Sequence, residues 1–253
     1  MSGRDDFQDR CGIVTGAASG IGLAAARLLC QRGGRTAMVD IDVDKLRQEK
    51  EQIQKLGGQA VAIPADVARE EDVARLVQET LGAFGSVDFL VNCAGILRPT
   101  PALQLEPAEW DRVLSVNLRG PYLCCRAVLS HMIARKRGVI VNVSSQAGRS
   151  TSRLGGIHYT ASKAGLIGLT RQLALEVGPH GIRVNALCPG GTLTPMVTSL
   201  LTPEIMAERS ARIPLRRYST PEEQAMVIAF LLSDESSFIT GASIDANGGI
   251  YML

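Results

Sequence analysis

Short β-branched runs alternate with stretches of helical period along almost all of the 253 residues, and this rhythm constrains the fold more than any other feature. Apolar runs at 11–15, 36–39, 60–63, 87–91, 139–143 and 182–187 have the length and composition of buried strands. Between them, 21–30, 43–56, 70–81, 107–135 and 160–177 carry helical periodicity. A last helix at 221–233, with Thr220 as its cap and Pro221 at its first position, precedes a short strand at 243–246. Strands that alternate with helices call for a parallel sheet covered on both faces and joined by right-handed crossovers. The expectation is an α/β fold: a doubly wound, mostly parallel, seven-stranded sheet with helices on both faces. No repeat, low-complexity tract or linker interrupts it, so residues 1–253 read as one domain.

Composition narrows the partners. With 45% hydrophobic residues, 21% charged residues and a net charge of +2, nothing favours nucleic acid or an acidic membrane surface. No apolar run approaches the roughly 18 residues that span a bilayer. The first residues lack the apolar stretch of a secretory signal, and Asp5, Asp6 and Asp9 speak against a mitochondrial leader. The expected location is the cytoplasm. Six cysteines form no CxxC pair and have no histidines at ligand spacing, so they read as reduced thiols, with no metal site.

The first strand runs directly into Thr15-Gly16-Ala17-Ala18-Ser19-Gly20-Ile21-Gly22, where a helix begins. Glycines at 16, 20 and 22 permit a tight turn, close backbone approach to a ligand and close helix–strand packing. A helix N-terminus there presents unpaired N–H groups to a pyrophosphate. Asp40 ends the second strand 18 residues after Gly22, where a carboxylate can take a ribose 2′-hydroxyl. Asp42 is the better candidate for capping the following helix. No arginine or lysine stands at Ser19, Asp40 or Ile41 to offset a 2′-phosphate, so NAD is favoured over NADP. Asp66-Val67 and Asn92-Cys93-Ala94-Gly95 close strands three and four at the same edge, where turn and cap roles compete with cofactor contact.

Tyr159 and Lys163 stand four residues apart, one turn along a helix and on one face. A lysine cation favours the phenolate and would lower a tyrosine pKa from its usual value near 10, making a general acid/base for an alcohol or carbonyl oxygen. The connection at 190–214 breaks the rhythm, with Pro195, Pro203 and a short helix expected at 203–209. Long ordered connections at the carboxyl edge of such sheets commonly cover substrate.

Together these pieces resemble the short-chain dehydrogenase/reductase family from about Cys11 to Gly249. The motifs are TGAASGIG (15–22), Asp66-Val67, NCAG (92–95), Asn117 in SVNLRG, Ser144-Ser145, YTASK (159–163), NALCPG (185–190) and ITGASIDANGG (239–249). The resemblance implies a Rossmann fold and a catalytic tetrad of Asn117, Ser145, Tyr159 and Lys163. Tyr159 would exchange a proton with the substrate oxygen, Ser145 would hold that oxygen, Lys163 would tune the phenol and bind the nicotinamide ribose, and Asn117 would anchor a relay water. Cofactor contacts are implied at Gly16, Ser19, Gly20, Ile21, Gly22, Asp40, Ile41, Asp66, Val67, Asn92, Ala94, Gly95, Tyr159, Lys163, Pro189, Gly190, Thr192 and Thr194. Asp66 and Val67 would flank the adenine, Asn92 and Gly95 the ribose, and Thr192 and Thr194 the carboxamide. A homotetramer is implied too, and Leu114, Leu118, Tyr122 and Val128 offer more apolar surface than one sheet face needs.

Three positions depart from the family pattern. Cys93 replaces an asparagine, Ser145 lies one residue further from Tyr159 than is usual, and Ala246-Asn247 precedes Gly248-Gly249. The second leaves Ser144 open as an alternative to Ser145. The function implied is NAD-dependent, reversible hydride transfer between a secondary alcohol and a ketone. An NADPH-dependent 3-oxoacyl-(acyl-carrier protein) reductase and a non-catalytic dinucleotide sensor stand as rivals. Arg149, Arg153 and His158 are candidates for an anionic substrate, although loop arginines are most often simply solvated.

Overall fold

The computed structural model describes residues 7–252; readings made on residues 1–6 lie outside them. Seven strands form one sheet: β1 Cys11–Thr15, β2 Arg35–Asp40, β3 Gln59–Pro64, β4 Phe89–Asn92, β5 Gly138–Val143, β6 Ile182–Pro189 and β7 Ser243–Ala246. Their order is β3-β2-β1-β4-β5-β6-β7, and every pairing is parallel. The chain reverses its direction of strand addition between β1 and β4, so their carboxyl ends diverge into a crevice.

Side chains on successive strand residues point to opposite faces, and the two cores follow that alternation. Val14, Met38, Phe89, Val91, Val141 and Val143 pack on one face against α1 (Gly20–Gln31), α2 (Val43–Lys55) and α9 (Pro221–Leu232). Ile13, Ala37, Val39, Leu90, Ile140 and Val184 pack on the other against α3 (Glu70–Phe84), α5 (Gly120–Arg135) and α6 (Ile157–Val177). Strands buried on both faces explain why the sequence shows unbroken apolar runs rather than alternation.

The stretch 107–135 is not the single helix its periodicity suggests. It is α4 (Pro107–Leu114), a π-helical turn over Ser115–Arg119, and α5, with the Gly120 N–H reaching back five residues to the Ser115 carbonyl. Pro121 is the physical reason. It has no N–H to bond the Asn117 carbonyl four residues earlier, and its ring would crowd that carbonyl in a regular helix. Of the four residues read as surplus apolar surface, Val128 is core, Leu114 and Leu118 are half-buried, and Tyr122 is exposed.

Strand β4 starts at Phe89 rather than 87, because the Asp88 side chain takes over the ladder and accepts the Cys11 N–H at 3.0 Å. Helix α6 starts at Ile157, three residues ahead of the expected position, so Tyr159 lies in its first turn. The connection after β6 holds two helices, α7 (Pro195–Thr198), of which periodicity gives no sign, and α8 (Pro203–Ser210); each has proline at its start. Leu201, Ile213 and Tyr218 give this connection a small core of its own, shared with Leu154, Val197 and Met206. Among the described residues no helix is long and apolar enough to cross a membrane.

Candidate active site

At the crevice between β1 and β4 the chain packs backbone against backbone. Gly16 and Gly20 have φ of +68° and +55°, a region that costs other residues strain. A Cβ on Gly22 would lie 2.2 Å from the Gly16 carbonyl oxygen, so α1 can sit this close only as glycine. Thr15 fastens the other side: its hydroxyl accepts the N–H groups of Cys93 and Ala94, both at 3.1 Å. Asp40 closes the loop from β2. One carboxylate oxygen accepts the Ala18 N–H at 3.0 Å, the other the Asp42 N–H at 3.1 Å, and Asp42 itself caps α2 through the Lys45 N–H. Ser19, the residue before α1, makes no side-chain cap, and in the first turn the Gly22 N–H bonds the Cys93 sulfur.

Of the catalytic and cofactor-contact residues expected from the sequence, all but two line this one cleft. Asn92 is buried beneath it. Its amide donates to Asn142 Oδ1 at 2.8 Å and to Cys125 Sγ at 3.4 Å, and Asn142 in turn donates to Thr170 Oγ1 at 2.9 Å. The side chain of a strand's last residue points to one face only, and that of Asn92 ties β4 to β5 and α5, and through Asn142 to α6, rather than lining the cleft.

Asn117 is the second exception, fully buried at the π-turn. Its Oδ1 accepts the Ile96 N–H at 2.8 Å, while Nδ2 donates to the Ile96 carbonyl at 2.9 Å and to Ser162 Oγ at 3.1 Å. Its side-chain amide is thus spent on protein partners. It packs against Gly95, where a Cβ would lie 3.4 Å from Asn117 Oδ1 and 3.5 Å from Lys163 Nζ.

The remaining three members meet in the cleft. Ser144 and Ser145 are sorted by their partners: Ser144 Oγ donates to the Lys163 carbonyl at 2.8 Å, whereas Ser145 lines the cleft and bonds the Tyr159 phenol. Lys163 Nζ stands 5.8 Å from the Tyr159 ring centre and donates to the Val143 carbonyl at 2.8 Å. The expected lowering of the phenol by that cation is not what the protein alone gives. Burial raises the Tyr159 pKa, the Ser145 bond offsets part of the rise, and burial pushes Lys163 down to about 8. Desolvation outweighs attraction here because both groups leave water together, and the ammonium faces the ring rather than the hydroxyl. Cys93, beside them, is pushed up to about 12, again chiefly by burial.

The candidates for anion contact separate. Arg149 donates to Asp245 at 3.1 Å and lies over the Tyr251 ring, and His158 is fully buried on Glu109 at 3.1 Å. Both are internal ties. Arg153 lines a second hollow that shares Ser145 and Tyr159 with the cleft. Periodicity gives no sign of Arg209, Arg212 and Tyr218 in that hollow, or of Arg112 on Asp66 at 3.3 Å; only the folded connection brings them in. Among the described residues no group of three His, Cys, Asp or Glu side chains could hold a metal ion.

The sequence profile of the family described as enoyl-(acyl carrier protein) reductase matches residues 16–251. The chain is 41% identical to a cis-4-hydroxycyclohexanecarboxylate dehydrogenase of Sinomonas cyclohexanicum, over 96% of this chain and 97% of that one. It belongs to the short-chain dehydrogenase/reductase family. Among solved members of this oxidoreductase family, a 3-oxoacyl-(acyl-carrier protein) reductase of Brucella melitensis with bound NAD superposes with a TM-score of 0.93. It shares 37% identity, with 99% of this chain and 94% of that one covered. Levodione reductase gives a TM-score of 0.92 at 34% identity, covering 96% and 98%.

Lys163 carries a prediction for the protein by itself. Its ordinary value is near 10.5 and its folded value about 8, so between these the unfolded chain holds a proton that the folded chain has released. Stability contributed by this group therefore rises as pH increases across that window. Denaturant melts from pH 7.5 to 10 should show that rise in the wild type and a flatter profile in Lys163→Met.

Proposed function

We propose that this short-chain dehydrogenase/reductase transfers hydride reversibly between NAD and a small secondary alcohol or its ketone, with Tyr159 as general acid/base. The observation that carries the reading is the meeting of Ser145, the Tyr159 phenol and Lys163 in the cleft that also holds the glycine-rich turn and Asp40. The turn fits a dinucleotide: glycines at 16, 20 and 22 let it pack against Ala94, Thr194 and its own backbone, and the first turn of α1 lines the cleft. When bound, the nicotinamide supplies or accepts the hydride. The protein's part is to hold the substrate oxygen on Ser145 and Tyr159 and to move one proton there.

A phenol whose pKa is raised is protonated at neutral pH, which suits it to donate to a forming alkoxide in ketone reduction. Alcohol oxidation needs the phenolate, and positive charge must then reach it. Lys163 is one source, and an oxidised nicotinamide ring is the other. Replacing Tyr159 with Phe removes the proton but not the ring packing. The expected result is a loss of about a hundredfold or more in kcat with cofactor affinity retained, read by steady-state kinetics and cofactor titration. Wild-type turnover in that variant would return the non-catalytic sensor to contention.

Asp40 supports NAD. A 2′-phosphate at its carboxylate would meet like charge, and no cation stands beside it at Ser19 or Ile41. Comparing kcat/KM with the two cofactors should favour NAD by about tenfold or more, and Asp40→Ser should erode that preference. A clear NADP preference would favour the 3-oxoacyl-(acyl-carrier protein) reductase reading.

The same proposal takes residues 1–253 as one catalytic domain acting on a small-molecule alcohol or ketone. Six free cysteines support a reducing compartment, the cytoplasm. Exposed Tyr122, Met226, Phe230 and Phe238 support a homotetramer. Light scattering at micromolar concentration should give four times the chain mass; a monomer would contradict it.

A further inference from the structure

Beside the cleft lies a hollow of about 340 Å³ that shares Ser145 and Tyr159 with it and whose walls include Leu97, Leu154, Val197 and Ile213. Three arginines line it, Arg153, Arg209 and Arg212, and no aspartate or glutamate does. They come from two separate stretches of chain, the loop before α6 and the end of α8. The core of Leu201, Ile213 and Tyr218 holds the α8 side in place.

The three cations differ in what already occupies them. Arg212 is paired with the exposed Glu208 one helical turn away. Arg209 donates to the Tyr218 phenol, a neutral partner that leaves its charge uncompensated. Arg153 is exposed and makes no ion pair among the described residues. The other cation near this end, Arg149, is neutralised by Asp245. Net positive charge therefore concentrates in a pocket of mixed polar and apolar lining that includes the catalytic pair.

A chamber that combines apolar walls, the reacting pair and guanidiniums without a carboxylate partner selects a matching solute. We propose that the substrate carries a carboxylate on a compact hydrocarbon frame, with the carboxylate held by Arg153 and Arg209 while its hydroxyl or keto carbon faces Ser145 and Tyr159. This inference rests on the alcohol/ketone reading above and adds the chemical class of the substrate.

The test separates the two. Calorimetric titration, with and without NADH, compares cyclohexanecarboxylate with cyclohexanecarboxamide, which have the same frame and differ in charge. The carboxylate should bind at least tenfold more tightly, and Arg153→Gln and Arg209→Gln should each remove most of that preference. Arg153→Gln guards against a folding effect, since Arg153 supports no internal partner. Equal binding of both probes, binding of neither, or a preference that survives both substitutions would overturn the proposal. So would arginine dependence confined to an acyl-carrier-protein thioester, which would make this face a protein-docking surface. Charge-selective binding without turnover of any hydroxycyclohexanecarboxylate would leave the anion site standing and remove the dehydrogenase reading instead.

Discussion

The buried amide of Asn117 holds the catalytic end of the molecule together. It bonds the Ile96 backbone twice and Ser162 once, joining the loop after β4, the π-turn and the first turns of α6 in one place. A buried donor or acceptor left without its partner costs about 1–3 kcal/mol, so each of these bonds penalises any drift of the three segments. Gly95, Lys163 and Tyr159 inherit their spacing from that junction. The π-turn makes it possible, because a regular helix through Pro121 could not present Asn117 in this way.

The two sides of the cleft are built on different principles. The dinucleotide side is backbone packed on backbone: glycines at 16 and 22, and N–H groups received by Thr15 and Asp40. Such a surface tolerates little variation, which suits a ligand common to many reactions. The opposite side is side chains on a folded connection with its own small core. Changes there alter what is recognised while leaving the sheet alone, and the arginines of α8 and its neighbour stand on that adjustable part.

How much can be read from the sequence follows the same division. Strands and helices are legible because burial on both faces leaves unbroken apolar runs and clear helical stripes, and the glycine-rich turn is legible because its residues have a steric reason to be there. Asn92 escapes such a reading because a motif records which residue stands at a strand end but not which face it points to. Arg149 and His158 look like open cations only because their partners, Asp245 and Glu109, are distant in sequence. The break at Asn117 is hidden by its context: residues on both sides keep a helical period, and only the missing N–H of Pro121 hints at it. Arg209 and Arg212 give no signal, since tertiary folding of the connection alone brings them to the hollow. The lowered phenol pKa expected from a YxxxK pair neglects the burial that the pair itself undergoes.

Cys93 stands where the family pattern has an amide, in the wall of the reactive cleft. With its thiol pushed up to about 12 by burial, Cys93 stays protonated at neutral pH. Peroxide and alkylating reagents attack the thiolate, so this sulfur is a poor target despite its position. Chemical inactivation that proceeds through cysteine would have to find another route into this enzyme, and the remaining cysteines, buried in strands and helices away from solvent, offer few.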